Sequence, residues 1–362
     1  MPAKSARSSN LELLRILCML LIIGDHITGQ GGIADYTALP ASFAFCLIGC
    51  GSRIACSVFI LIGGWFLCEQ PYKTRRPLSL WLSLWLYTVP VTLLCKLAGL
   101  DVSFGALRWA VFPASTRQLW FISDYLLLLL CVPLLNRVLH GLSRPAHRGL
   151  LAVLAVPLIV YPTIFGENGV VSDTAWMFLY EYLLAAYLRR YPDNRLAQLF
   201  ARRAAALGIG LGLPLLNTAV RAVLETRGLT DGKAFQYIGY YRTALGALPN
   251  LLAALALFYL FKNLNLGSVR WVNALSGTTL GVYILHQVPA FRNFLWNGIL
   301  QCQAHHGSLA YTLFAVAAVF LGCAAVDAVR TVLVMRPLEN TPLFARLCEK
   351  GDALAAKITA HD

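Results

Sequence analysis

Long apolar runs recur along the chain, separated by short polar stretches, and ten of them approach the roughly 20 residues that a helix needs to cross a bilayer. They cover residues 11–28, 43–67, 78–98, 119–139, 150–165, 174–188, 204–224, 245–261, 274–294 and 309–334. The pattern predicts an all-α polytopic membrane protein. The fifth and sixth runs are short, and joined as one re-entrant pair they would leave eight full spans. Glu167, Asn168 and Asp173 between them make a polar turn that belongs in water, which favours ten. The first run is read as retained rather than cleaved, because Glu12 and Arg15 interrupt its start and no small-residue cleavage site follows Thr28.

Composition supports the bilayer as solvent. Hydrophobic residues make up 58% of the 362 and charged residues 13%, about half the level of a soluble domain, which excludes a soluble enzyme. The net charge of +13 raises a nucleic-acid partner, but the basic residues sit in short clusters between apolar runs and form no basic face interleaved with aromatics. With the amino terminus inside, alternate loops and both tails collect 20 of the 30 Lys and Arg, as the positive-inside rule requires of cytoplasmic segments. Both termini are therefore expected in the cytoplasm. Residues 1–336 form one membrane domain in this reading and 337–362 a cytoplasmic tail.

Trp65, Trp81, Trp120, Trp271 and Trp296 fall near span ends and read as interfacial anchors. Pro90, Pro133, Pro157, Pro214, Pro249 and Pro289 lie in or at the edge of spans, where a proline frees a carbonyl and bends the helix. Of the ten cysteines, Cys18, Cys56, Cys68, Cys95, Cys131 and Cys323 lie in apolar runs and act as small hydrophobes, while Cys46 and Cys50 are one helical turn apart. No CxxC or Cys/His spacing points to a metal site.

Ionisable groups inside spans carry the functional signal, since a charge at mid-bilayer costs at least about 2.5 kcal/mol. The first span, NLELLRILCMLLIIGDHITG, holds Glu12, Arg15, Asp25 and His26. Glu12 and Arg15 share a face at a spacing of three. Arg15 and His26, eleven residues apart, return to nearly the same face roughly 16 Å along the axis. His26 reads either as a packed neutral imidazole or as a general base whose pKa lies near the working pH. Asp25 is rotated about 100° from it and is poorly placed to orient the ring, so a partner from another span is expected. His286 in TTLGVYILHQVPAF is a second unexpected histidine, packing or ligand-positioning, whereas His305 and His306 read as solvated. Lys73, Arg75 and Arg76 in EQPYKTRRP serve either topology or a phosphate cradle for a cytosolic donor. Arg53, Asp124 and Tyr125 place polar groups near the outer half, lining an acceptor site or pairing structurally.

These segments resemble one family in order. NLELLRILCMLLIIGDH, RIACSVFILIGGWFL, LWFISDYLLLLLCVPLLN, ALFYLFKN, TLGVYILH and VDAVR are similar to spans of acyltransferase family three, integral membrane enzymes that O-acylate bacterial cell-surface glycans. The resemblance implies ten helices in the bacterial cytoplasmic membrane. It also implies a cytoplasmic acyl-CoA co-substrate, commonly acetyl-CoA, with no bound cofactor or metal, and an acceptor hydroxyl at the outer face on a cell-envelope glycan or its lipid-linked precursor. His26 matches the family's catalytic histidine, Arg15 its paired arginine, and Lys73 and Arg76 its basic pair, with Lys where Arg is common. Gly63 and Trp65 stand where Ser and Tyr are usual. The extra esterase-like domain that many relatives carry is not expected here. The rival class is a proton-coupled secondary transporter, which buried histidines and kinked spans would also serve, although no two corresponding broken helices mark two halves. A non-catalytic envelope-assembly subunit would leave Arg15 and His26 without work. The sequence leaves room for a homo-oligomer.

Overall fold

A computed structural model describes residues 9–34, 38–166 and 174–360, and among them every regular element is helical. In chain order these are α1 (Asn10–Gly29), α2 (Ala41–Leu67), α3 (Arg75–Leu97), α4 (Phe104–Val111), α5 (Trp120–Gly141) and α6 (Arg144–Ala155). Then come α7 (Tyr161–Phe165), α8 (Thr174–Arg190), α9 (Arg195–Ala201), α10 (Arg203–Thr226), α11 (Lys233–Thr243) and α12 (Leu248–Lys262). The last are α13 (Arg270–Gln287), α14 (Pro289–Asn293), α15 (Leu309–Arg330), α16 (Arg336–Glu339) and α17 (Pro342–Thr359). Side chains of Ser103, Ser143, Asn194, Ser308 and Thr341 accept a backbone N–H three residues on, so five helices start on a polar cap.

Each of the ten predicted runs lies on helix, and seven helical stretches of the described residues are long and apolar enough to cross a membrane: Ala41–Leu67, Arg75–Leu97, Trp120–Gly141, Arg144–Phe165, Arg203–Thr226, Lys233–Lys262 and Leu309–Glu339. The other three predicted runs fall on α1, α8 and α13. Glu12, Arg15 and Asp25 make α1 too charged for that test, and α8 is 17 residues long. The predicted polar turn of Glu167, Asn168 and Asp173 lies outside the described residues. The division expected after Arg336 falls inside the continuous helical stretch Leu309–Glu339.

Two proline readings change. Pro249 occupies the first turn of α12, and Pro289 opens α14 after α13 has ended at Gln287, so both start helices where the missing N–H costs nothing. The ninth run is thus broken near its carboxyl-terminal end, at Val288. Pro90, Pro133 and Pro214 do sit inside α3, α5 and α10.

Leucines and phenylalanines such as Leu97, Leu216, Leu313, Phe314 and Leu333 stand fully in the open on the bundle's flanks. In water such a belt would drive aggregation, whereas in a bilayer it is the lipid-facing surface. The amino-terminal end of α1 is tied to the strap between α12 and α13. Ser9 N–H donates to Gly267 O at 2.8 Å, Val269 N–H to Ser9 Oγ at 2.7 Å, and Leu266 N–H to Asn10 Oδ1 at 3.1 Å. That tie sets α1 alongside α13 in a fixed register. On the far side of α13, Gly281 faces α15 so closely that a Cβ there would lie 1.9 Å from Asp327 Oδ1. Asp327 in turn accepts the Tyr87 hydroxyl at 2.6 Å and Arg330 Nη2 at 2.9 Å, joining α3, α13 and α15.

Candidate active site

The register of α1 on α13 produces polar contacts towards each end of the pair. Near the start, both carboxylate oxygens of Glu12 lie 3.1 Å from Arg15 Nη1, and the Ser276 hydroxyl of α13 donates to Glu12. The face-sharing pair expected from the sequence is therefore formed, and α13 supports it. Three turns further on, His26 Nδ1 lies 2.9 Å from His286 Nε2, and His286 Nδ1 lies 2.6 Å from the Val282 carbonyl.

Chemistry assigns the protons in this chain. A carbonyl oxygen only accepts, so His286 Nδ1 carries a hydrogen and its Nε2, in the neutral ring, presents a lone pair. His26 Nδ1 must then donate to that lone pair, and the free lone pair of His26 is on Nε2. His286 is fully buried, flanked by Tyr283 at 6.0 Å and Trp296 at 6.0 Å between ring centroids, while His26 is half-buried. Beyond the histidines, Gln30 and Gln287 exchange amide hydrogen bonds of 3.2 and 2.9 Å, joining the last turn of α13 to the end of α1.

A cavity of about 990 Å³ opens at the end of the bundle where α1 and α13 begin and α2, α8 and α12 finish. Four cations from four helices line it: Arg15, Arg76, Arg189 and Lys262. A second cavity of about 380 Å³ adjoins it, sharing Arg15, Tyr125 and Leu280, and is also lined by Met19, Ile22, Phe121 and Tyr283. The ring of Tyr283 lies 6.2 Å from that of His26. The lining of the second cavity thus includes a tyrosine whose ring neighbours the imidazole.

Among the predicted donor residues the structure brings Arg76 to this cavity. Arg75 Nη2 instead pairs with Glu339 Oε2 at 2.5 Å, and Lys73 is exposed outside the lining. Arg189 and Lys262, two of the 20 basic residues counted above for the positive-inside rule, also line the cavity and sit 5.0 and 5.2 Å over the ring of Trp65. Trp65 is accordingly buried in the cavity wall and Trp296 is buried against His286, so neither is an interfacial anchor. Tyr125 also changes place. It lines both cavities, its hydroxyl 3.2 Å from where a Cβ on Gly63 would lie, while its neighbour Asp124 is held by Arg117 Nη2 at 3.0 Å and by Thr174. Arg53 stacks 5.7 Å over Trp120 and, with Arg242, is a charged neighbour of Asp25. His305 is exposed, as expected, and also stacks on Tyr311 at 3.6 Å. Glu181 was missed although a carboxylate in an apolar run is a legible signal. It is fully buried in α8 with Ser57 as a polar neighbour.

The bundle thus carries a four-cation cavity at one end and, three turns further along α1, a histidine pair with one ring buried and the other half-buried. The acyltransferase-3 family model, an acyltransferase domain, matches residues 8–328, and the chain belongs to that family. It is an acyltransferase. No curated protein and no solved structure matches the chain.

Proposed function

We propose that the protein moves an acyl group, acetyl in the simplest case, from cytoplasmic acyl-CoA to a hydroxyl of a cell-envelope glycan or its lipid-linked precursor in the bacterial cytoplasmic membrane. The observation that carries this reading is a four-cation cavity adjoined by a second one whose lining reaches the tyrosine ring beside His26. Guanidinium and ammonium groups of Arg15, Arg76, Arg189 and Lys262 suit the phosphates of a coenzyme A donor. Its pantetheine arm is comparable in reach to the roughly 16 Å that separates Arg15 from His26 along α1. The thioester then arrives at Tyr283, whose ring must turn aside for the carbonyl to meet the acceptor.

In the transfer step the acceptor oxygen bonds to the thioester carbonyl carbon as His26 Nε2 takes the hydroxyl proton. Collapse of the tetrahedral species breaks the carbon–sulfur bond, and the proton passes from His26 to the departing thiolate. His286 holds the ring of His26 with Nε2 free, and its lone pair accepts a stronger hydrogen bond while His26 is cationic. Arg15 sits where both cavities meet, braced by Glu12, and belongs to donor positioning in this reading. Both termini and the four cations face the cytoplasm, and Asp25, Arg53 and Arg242 the acceptor side. The test is transfer of radiolabelled acetyl from acetyl-CoA in membranes. His26→Ala should abolish it while leaving the protein folded and membrane-inserted, and full transfer by that variant would refute the assignment.

A further inference from the structure

The carboxyl-terminal helix α17 does not enter the bundle. It runs across the helix ends at the donor cavity, touching α3 and α5 in turn. Phe344 is buried beneath the Arg75 guanidinium at 6.0 Å, Thr74 N–H donates to Asp352 Oδ1 at 2.6 Å, and Arg137 Nη1 donates to Ile358 O at 2.9 Å. Gly351 makes the approach possible, since a Cβ there would lie 2.4 Å from the Thr74 side chain. A helix that meets the ends of two spanning helices on one side of the bundle lies along the membrane surface rather than through it.

Its outward faces are sorted by chemistry. At 100° per residue, Leu343, Leu347, Leu354 and Ile358 fall within an arc of about 60°, and all four are exposed, Leu343 at 68% and Leu354 at 59%. Arg346, Lys350 and Lys357 form a row directly beside that stripe, all exposed, and Ala345, Glu349 and Ala353 continue round to the side away from it. An apolar stripe edged by a row of cations is the pattern of a helix lying in the headgroup layer, with aliphatic side chains in the acyl boundary and basic groups at the anionic headgroups. The preceding stretch Leu309–Glu339 is itself long and apolar enough to span, so α17 starts where that stretch leaves the hydrocarbon.

We propose that α17 binds the bilayer surface beside the donor cavity, through its leucine stripe and through anionic lipid headgroups held by Arg346, Lys350 and Lys357. The partner is the leaflet in which the protein is embedded. Because the opposite face of α17 holds Thr74 and Arg75, next to Arg76 of the cavity lining, this contact also anchors the segment that carries a donor cation.

The test places a spin label on the full chain in nanodiscs holding one copy each, made of phosphatidylcholine with or without phosphatidylglycerol. The half-buried Cys131 and Cys348 are replaced by Ser, the other eight cysteines being buried. In anionic discs a label at Leu354→Cys should relax with oxygen and be shielded from a water-soluble nickel chelate, and one at Ala345→Cys should do the reverse. Adding Arg346→Gln, Lys350→Gln and Lys357→Gln should raise the nickel accessibility of the Leu354 label toward its level in neutral discs. Equal nickel access at the two positions would overturn the proposal, as would shielding of the Leu354 label from both reagents, which would mean contact with protein. Acyl transfer is not the readout, so the result stands apart from the catalytic assignment.

Discussion

His26 on α1 and His286 on α13, 260 residues apart in sequence, share a hydrogen bond of 2.9 Å, and the carbonyl of Val282 at 2.6 Å fixes which nitrogen of each ring carries a proton. The catalytic account follows from that relationship. An imidazole used as base needs one nitrogen free and the other held, and here the holding group is a second imidazole in place of a carboxylate. Removing His286 should leave His26 in place but free to rotate and to change tautomer. His286→Ala is expected to lower kcat on the order of 10–100-fold, the range for loss of an orienting partner, with the KM for acyl-CoA unchanged. Steady-state kinetics on purified protein checks this, and a raised KM with normal kcat would place His286 in donor binding.

The cavity cations should separate from the histidines in their kinetic effect. Arg189→Gln and Lys262→Gln each remove a charge that lines the cavity, and a charge-assisted hydrogen bond contributes about 1.5–3 kcal/mol. Each variant should raise the KM for acyl-CoA roughly tenfold or more and leave kcat near wild type. Lys73→Gln, which is outside the lining, should change little. Donor titrations at fixed acceptor distinguish the three.

Width at Gly63 tests the proposed path of the donor. The residue lines the larger cavity against the Tyr125 hydroxyl. Gly63→Leu should block the pantetheine path, so that thioester no longer reacts although donor phosphates still bind. The measurement is acyl-CoA binding beside transfer, with retained binding and lost transfer as the expected pair. Gly63→Ala, whose Cβ meets only the end of one side chain, should remain active.

Much of this arrangement was legible in the chain. The ten apolar runs fell on helices because length and hydropathy are local properties, and Glu12 with Arg15 paired because their spacing alone places them on one face. What failed was anything decided across the bundle. The His26 and His286 pair depends on the register of α1 against α13, which Ser9 and Asn10 set through contacts with residues 264–269. Arg189 and Lys262 were hidden because topology and phosphate binding draw on the same residue types at the same membrane face. Trp65 and Trp296 lie at span ends yet are buried, for a position near the interface does not say which way a ring turns.

Stability has its own prediction at the α13–α15 crossing. Gly281→Ala would drive a methyl group into Asp327, which also receives Tyr87 and Arg330. The overpacking costs about 1–3 kcal/mol, and moving a buried carboxylate off its donors adds to it. Thermal unfolding in detergent should show a clearly lower Tm, while Gly322→Ala in α15, with open space around it, should not.

The central claim is that His26 accepts the acceptor's proton, and the most direct measurement is radiolabelled acyl group retained in envelope carbohydrate of cells expressing wild type or His26→Ala at matched membrane levels. Loss of a general base costs about 10²–10⁴-fold, so label in the variant should fall to background. Label at the wild-type level would contradict the account.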